Sequence, residues 1–301
     1  MTLDQLRIFV AVAEREHVTR AARALGLTQS AVSSAIAALE ARHDTRLFDR
    51  VGRHIELTAA GRLFLDEARA VLARAHAAEL MLSELGSLGR GTLNVHASQT
   101  IASYWLPAQL VRFREAYPRI EVRLAAGNTE TVARAVLEGS ADLGFVEGAV
   151  KIPALASVEV GADRLVLVVG ASHPLARRKR VGLAELAGAA WVVREAGSGT
   201  RSEVEAALTA MKLPVHAREI ALELPSNEAV RAAVEAGAGV AGLSDLVAAP
   251  GLEAGTLRRL DVDMPARPYL ALRHRERRLS KAAEALLASC GRPAGGGRGR
   301  S

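Results

Sequence analysis

Cysteine is almost absent: Cys290 is the only one in 301 residues. That count excludes an internal disulfide and any cysteine pair at metal-ligating or redox spacing, and it suits a reducing compartment. No apolar run approaches the roughly 18 residues of a membrane span. The opening MTLDQLRIFVAVAEREH lacks the basic start, unbroken apolar stretch and small-residue cleavage site of a secretory leader. A cytoplasmic protein without membrane contact is expected. Catalytic signatures are missing as well. His17, His43, His54, His76, His96, His173, His216 and His274 are dispersed, with no HExxH pair, and read as surface or core residues. Ser198 stands in GSG without a GxSxG elbow, and GSGT lacks the Gly-Lys-Ser/Thr ending of a nucleotide loop. No metal and no cofactor is expected.

What is present describes a folded chain. Half the residues are apolar and 24% are charged, and a chain this long holds two or three units. The net charge of +6 favours a polyanion, although the arginines are spread along the chain. The tail 291–301, GRPAGGGRGRS, is too glycine-rich to pack and reads as disordered.

Within the first sixty residues, Leu3, Leu6, Phe9, Val10 and Ala13 recur at helical spacing. A second helix from Val18 to Leu25 carries Ala21, Ala22 and Ala24, and Gly26 sits where a left-handed cap belongs. Thr28 is placed to cap a third helix whose inward face is Val32, Ile36 and Leu39. The opposite face, Gln29, Ser30, Ser33 and Ser34, is short, uncharged and able to both donate and accept hydrogen bonds, as reading base edges requires. Two extended pieces follow, Leu47 to Arg50 and His54 to Leu57 about Gly52, a basic hairpin with Arg50 and Arg53 near its tip, suited to phosphate or the minor groove. This order points to double-stranded DNA; a small helical interaction module is the plainer alternative.

AARALGLTQSAVSSAIAAL from Ala21 to Leu39, with Glu40, then Arg46-Leu47-Phe48-Asp49-Arg50 and Leu57-Thr58-Ala59-Ala60-Gly61, resembles the N-terminal signature of LysR-type transcription regulators. The resemblance continues, less sharply, to about residue 288. It implies a winged helix-turn-helix with Gln29, Ser30, Ser33 and Ser34 on the recognition helix and Arg50 and Arg53 on the wing. It also implies a long linker helix and a two-lobed α/β effector domain like a periplasmic binding protein. Ala35 and Ala37 depart from the longer polar groups of many members, which shifts recognition toward backbone contacts and DNA shape.

From Thr58 no proline intervenes until well past Leu85, and Phe64, Ala68, Val71, Ala75, Ala78, Leu82 and Leu85 alternate at spacings of four and three. Such a heptad seam along a helix of roughly 40 Å needs a partner. A homodimer is expected, and the resemblance implies a dimer or homotetramer.

Beyond Gly91, apolar runs alternate with helical stretches: Thr92 to Ala97, Ile120 to Ala125, Asp142 to Val146, Leu165 to Val169, Ala190 to Val193, Arg218 to Leu222 and Val240 to Leu243. This is the order of an α/β domain with a mostly parallel sheet. NTETVARAVLEGSADLGF from Asn128 aligns without gaps on SNEAVRAAVEAGAGVAGL from Ser226, which predicts two related lobes around a cleft. The expected division is 1–58 head, 59–88 linker helix and 91–290 effector domain, with 91–162 and 267–290 in lobe I and 163–266 in lobe II. Crossings between lobes fall near Gly161 to Leu165 and Pro265 to Pro268.

VHASQT sets Ser98 and Thr100, and REAGSGT sets Ser198 and Thr200, after a strand and before a helix. Helix starts with free N–H groups and hydroxyls favour an anion, although each alone also fits plain capping. The resemblance places the effector between the lobes at these turns, which with the helix starts points to a small anion; Gln99 and Glu147 are further candidates. VEG after the third strand together with REAGSGTR resembles the subgroup controlling sulfur assimilation or carbon fixation. The competing readings are an enzyme on the same two-lobed scaffold with an N-terminal interaction module, and a transport binding protein.

Overall fold

The computed structural model describes residues 1–51, 54–86, 91–213 and 219–290. The described chain falls into two compact units, the first built on Met1–Gly86 and the second on most of the residues from Gly91 to Cys290. The expectations for Arg53, for the SLGRG break and for the 291–301 tail lie outside the described residues.

The first unit starts with α1 (Leu3–Arg15), which Thr2 and Gln5 close in a reciprocal capping box. Then come α2 (Val18–Leu25), ending on Gly26 at φ 66, and α3 (Gln29–His43), capped by the Thr28 hydroxyl. Ile8, Val12, Ala21, Ala22 and Val32 make a small core, and the alanines of α2 let the three helices approach closely. The strands β1 (Phe48–Val51) and β2 (His54–Leu57) pair antiparallel as the wing hairpin. Glu40 fastens this hairpin to α3, since its Oε1 accepts from the backbone N–H of Leu47 at 2.7 Å and of Phe48 at 3.1 Å. Thr58 caps the helix that follows, α4 (Ala59–Gly86), by accepting from the Gly61 N–H. Its 28 residues make a helix of about 42 Å.

Among the described residues, the second unit is built on a mixed sheet of nine strands. The first lobe holds β3 (Gly91–Ser98), α5 (Leu106–Ala116), β4 (Ile120–Gly127), α6 (Thr129–Glu138) and β5 (Leu143–Glu147). A wide π-type turn, Ile101–Trp105, leads into α5. The second lobe holds α7 (Leu183–Ala187), β7 (Ala190–Arg194), α8 (Gly199–Ala210), β8 (Glu219–Leu224), α9 (Asn227–Glu235), β9 (Val240–Ser244), α10 (Asp245–Glu253) and β10 (Leu257–Arg259). Two strands run through both: β6 (Leu155–Gly170) and β11 (Ala266–His274). The described residues finish with α11 (Lys281–Cys290) on the core of the first lobe.

The expectation of a mostly parallel sheet needs correcting. Pairings β3–β4, β3–β5, β7–β8 and β7–β9 are parallel, but β5–β11, β6–β11, β6–β9 and β6–β10 are antiparallel. The crossings cause this. β6 leaves the first lobe and enters the second as one continuous strand, and β11 returns beside it, so the two lobes are joined by paired strands rather than by loops.

The internal repeat is visible in the fold. α6 leads to Gly139 at φ 80 and then β5, and α9 leads to Gly237 at φ 94 and then β9. Both glycines occupy the left-handed region, where a side chain is unfavourable and a helix can end sharply.

Candidate functional site

On the first unit, α3 turns Val32 and Leu39 into the core with 0% and 1% exposure, and Ile36 is half-buried. The 3.6-residue period then forces Gln29, Ser30, Ser33 and Ser34 to the other side, where all four are exposed. The result is a narrow polar ridge without a formal charge. Arg50 lies on β1 of the wing, and Arg53 is outside the described residues.

The second unit gathers all six sequence candidates for the effector site at the junction of its lobes. Ser98 ends β3 and Glu147 ends β5, on the same edge of the sheet. Ser98, Thr100, Glu147, Ser198 and Thr200 are buried, and Gln99 is half-buried. Capping accounts for only one of them. The Ser198 hydroxyl accepts from the Arg201 N–H at the start of α8. The Thr100 hydroxyl instead accepts from the Asn227 amide at 3.0 Å, across the lobes, and Thr200 accepts from Arg267 Nη1 at 3.0 Å.

Arg267 is the residue that sequence reasoning missed. It sits on β11 directly opposite Asp163 on β6, and both belong to the crossing strands. Its Nε donates to Asp163 Oδ1 at 2.6 Å and its Nη2 to Oδ2 at 2.7 Å, a bidentate fork. Nη2 also reaches Thr100 at 3.5 Å and lies 3.7 Å from Glu147 Oε1. Burial works against the charge, but the Asp163 hydrogen bonds and the nearby Glu147 carboxylate together hold the Arg267 guanidinium above its ordinary range. Burial, with Asp163 adding to it, pushes the Tyr269 phenol far up. Asp163 further accepts from the Ser244 hydroxyl. One guanidinium thus faces two carboxylates, with a threonine from each lobe.

Around this centre the lobes clasp each other reciprocally. The first lobe's turn uses Gln99 to accept from the Asn227 N–H at the start of α9 and to donate to the Pro225 carbonyl. The second lobe's turn receives the Glu130 N–H at the Gly197 carbonyl, and Asn128 donates to Glu195 at 3.3 Å. Asn128 and Ser226 are the first residues of the aligned repeat, and each caps its own helix. The repeat therefore builds a pseudo-symmetric pair of contacts. Asn227 is further held by Arg194, a buried cation that also forks onto Glu195 at 2.7 and 2.8 Å.

The sequence did hold signals for these residues. Asp163 and Arg267 are charges flanking apolar runs, within the stretches marked as crossings, and Asn227 is the second residue of the second copy of the repeat. The packing is tight. A Cβ on Gly199 would lie 2.4 Å from the Glu147 carbonyl oxygen and 2.4 Å from Thr129 Oγ1. Gly199→Ala should therefore destabilise the second unit by about 1–3 kcal/mol, through overpacking. Urea titration checks this, and a change below about 0.5 kcal/mol would show that the lobes separate at little cost.

Family comparison agrees with both halves. Residues 3–62 match the model described as "Bacterial regulatory helix-turn-helix protein, lysR family", and residues 86–293 match "LysR substrate binding domain". The chain belongs to the LysR family. It is a DNA-binding transcription regulator with an effector-binding domain. One relative is "Uncharacterized HTH-type transcriptional regulator YeiE" of Escherichia coli strain K12, 38% identical, with 96% of this chain and 97% of that protein covered. Another is "Probable RuBisCO transcriptional regulator" of Trichormus variabilis, 33% identical, covering 95% and 86%. Among solved structures, the Synechocystis CcmR regulatory domain in complex with 2-PG is 27% identical with a TM-score of 0.61, covering 67% of this chain and 96% of that one. The lone cysteine of this LysR-family chain is buried in the core of the first lobe, where burial pushes its thiol up to about 11. That makes it a poor nucleophile at neutral pH.

Proposed function

We propose that this LysR-family regulator reads double-stranded DNA with Gln29, Ser30, Ser33 and Ser34 of α3. Arg50 and Arg53 supply contacts to phosphate or the minor groove. In this reading a small anionic effector binds between the lobes at Ser98, Gln99, Thr100, Glu147, Ser198 and Thr200. The observation that carries it is Arg267, a fully buried guanidinium that donates to a threonine of each lobe. Because Thr100 and Thr200 already accept hydrogen bonds, their own hydrogens are available to an anion's oxygens.

Residues 1–58 serve as the head, 59–88 as a linker helix that pairs two copies, and 91–290 as the sensor, split as 91–162 with 267–290 and 163–266. The α4 seam supports a homodimer or homotetramer in the cytoplasm. Val71 on that seam is 41% exposed within one chain, so a second helix has an apolar surface to cover. No helix among the described residues is long and apolar enough to cross a membrane. The relatives are transcriptional regulators, and the dispersed histidines favour sensing over catalysis. The name of the Trichormus relative supports the carbon-fixation branch of the subgroup resemblance. An effector that prefers the clasped lobes shifts the population of the oligomer and with it the spacing of the heads.

A thermal-shift series of carboxylates, oxyanions and sugar phosphates tests the site, because a ligand bound only by the native state raises the melting temperature. Thr100→Ala and Thr200→Ala should each weaken the response about tenfold, since each removes one hydrogen bond to a charged group. Variants that respond like the parent protein would sink the assignment of the cleft.

A further inference from the structure

The polar atoms around Arg267 are not all of one kind, and the imbalance carries information about the ligand. Glu147 is 1% exposed; its Oε1 lies 3.7 Å from Arg267, and its Oε2 has no hydrogen-bond partner among the described residues. Thr100 and Thr200 offer O–H donors, while Glu147 offers a carboxylate acceptor. A buried carboxylate oxygen without a donor is costly, and an anionic oxygen placed against it costs more. Asp163 takes both arms of the guanidinium's fork, so the single positive charge of Arg267 is shared between two carboxylates and compensates Glu147 only in part.

We infer that Glu147 selects an effector carrying an O–H group beside its anionic oxygens and rejects fully deprotonated oxyanions of the same size. The inference rests on the cleft reading above. The ligand's oxygens take the hydroxyl hydrogens of Thr100 and Thr200, and its O–H donates to Glu147 Oε2. The same chemistry arises from two sources: the acid hydrogen of a partly protonated oxyanion, or a hydroxyl on the carbon next to a carboxylate. A site whose buried acceptor requires a donor rejects an analogue without one far more strongly than an apolar pocket rejects an isostere.

Two matched pairs of probes test this on the full-length protein at pH 7 by calorimetry and thermal shift. Hydrogen phosphate against sulfate reads the first source, and glycolate against acetate reads the second. In at least one pair the donor-bearing member should bind tenfold or more tightly. Glu147→Gln, which presents an amide donor in the carboxylate's place, should bring that ratio to within about threefold of unity, chiefly by raising affinity for the member without O–H. Glu147→Asp, which shortens the reach but keeps the charge, should retain the preferred member while weakening both. Equal binding of both members of every pair that binds the parent protein, or a ratio unchanged in Glu147→Gln, overturns the inference and leaves the anion site standing. No response of the parent protein to any of the four at millimolar concentration overturns the inference and the cleft reading together.

Discussion

Replacing Arg267 by Met should destabilise the second unit by about 3–5 kcal/mol, because it strands two buried carboxylates. Asp163 and Glu147 are 8% and 1% exposed, and Asp163 would lose both arms of its fork. For a unit of this size such a loss lowers the melting temperature by about 10 °C or more. The double variant Arg267→Met with Asp163→Leu should recover part of it, since the Asp163 carboxylate goes with its partner while Glu147 stays buried without a cation. Arg267→Lys should fall between the two, as an ammonium keeps the charge but cannot span both oxygens of Asp163 and reach Thr200 as well. Calorimetric unfolding of the three variants checks the series. A single variant that costs less than 1 kcal/mol would mean that water reaches the cluster and that the pair does not hold the crossing strands together.

The second large effect belongs to the other unit. Ser33→Glu should reduce operator affinity about a hundredfold or more, because a carboxylate on the exposed face of α3 meets the negative field of the groove. Ser33 is exposed, so thermal stability should stay within about 0.5 kcal/mol of the parent protein. Mobility shift against the chain's own upstream DNA, at two salt concentrations, separates this from a folding defect. Arg50→Ala should instead weaken binding to all sequences alike and flatten the salt dependence by about one phosphate contact. Unchanged operator binding by Ser33→Glu would remove α3 as the reading helix.

How far these effects could be foreseen from the chain alone differs between the units. The head was legible nearly residue by residue: the α1 to α3 boundaries, the Gly26 and Thr28 caps and the hairpin about residue 52 are all written in spacing and cap chemistry. Local rules suffice there because helices, caps and a short hairpin are set by contacts within a few residues. In the effector unit the same local signals placed most strands within a few residues. They failed on the full length of β6, whose first half, Leu155 to Arg164, reads as loop because it is mostly exposed or half-buried and is held as strand by pairing with β11, more than a hundred residues away in the chain.

The site shows the same divide. The hydroxyls of Ser98, Thr100, Ser198 and Thr200 were visible as paired turns before helices. Nothing local tells a capping hydroxyl from one turned toward another lobe, and only the folded arrangement separates Ser198, a plain cap, from Thr100 and Thr200. Asp163 and Arg267 stand 104 residues apart, and their pairing depends on the register of two strands that cross between lobes. Periodicity, caps and the repeat, together with the LysR resemblance of the N-terminal motif, pointed from the sequence to the kind of protein this is: a DNA-reading head, a pairing helix and a two-lobed sensor. Which polar groups face one another in the cleft, and how many donors and acceptors remain for a ligand, were decided by tertiary structure. The reason is physical: a buried charge is tolerated only where a distant partner arrives to meet it.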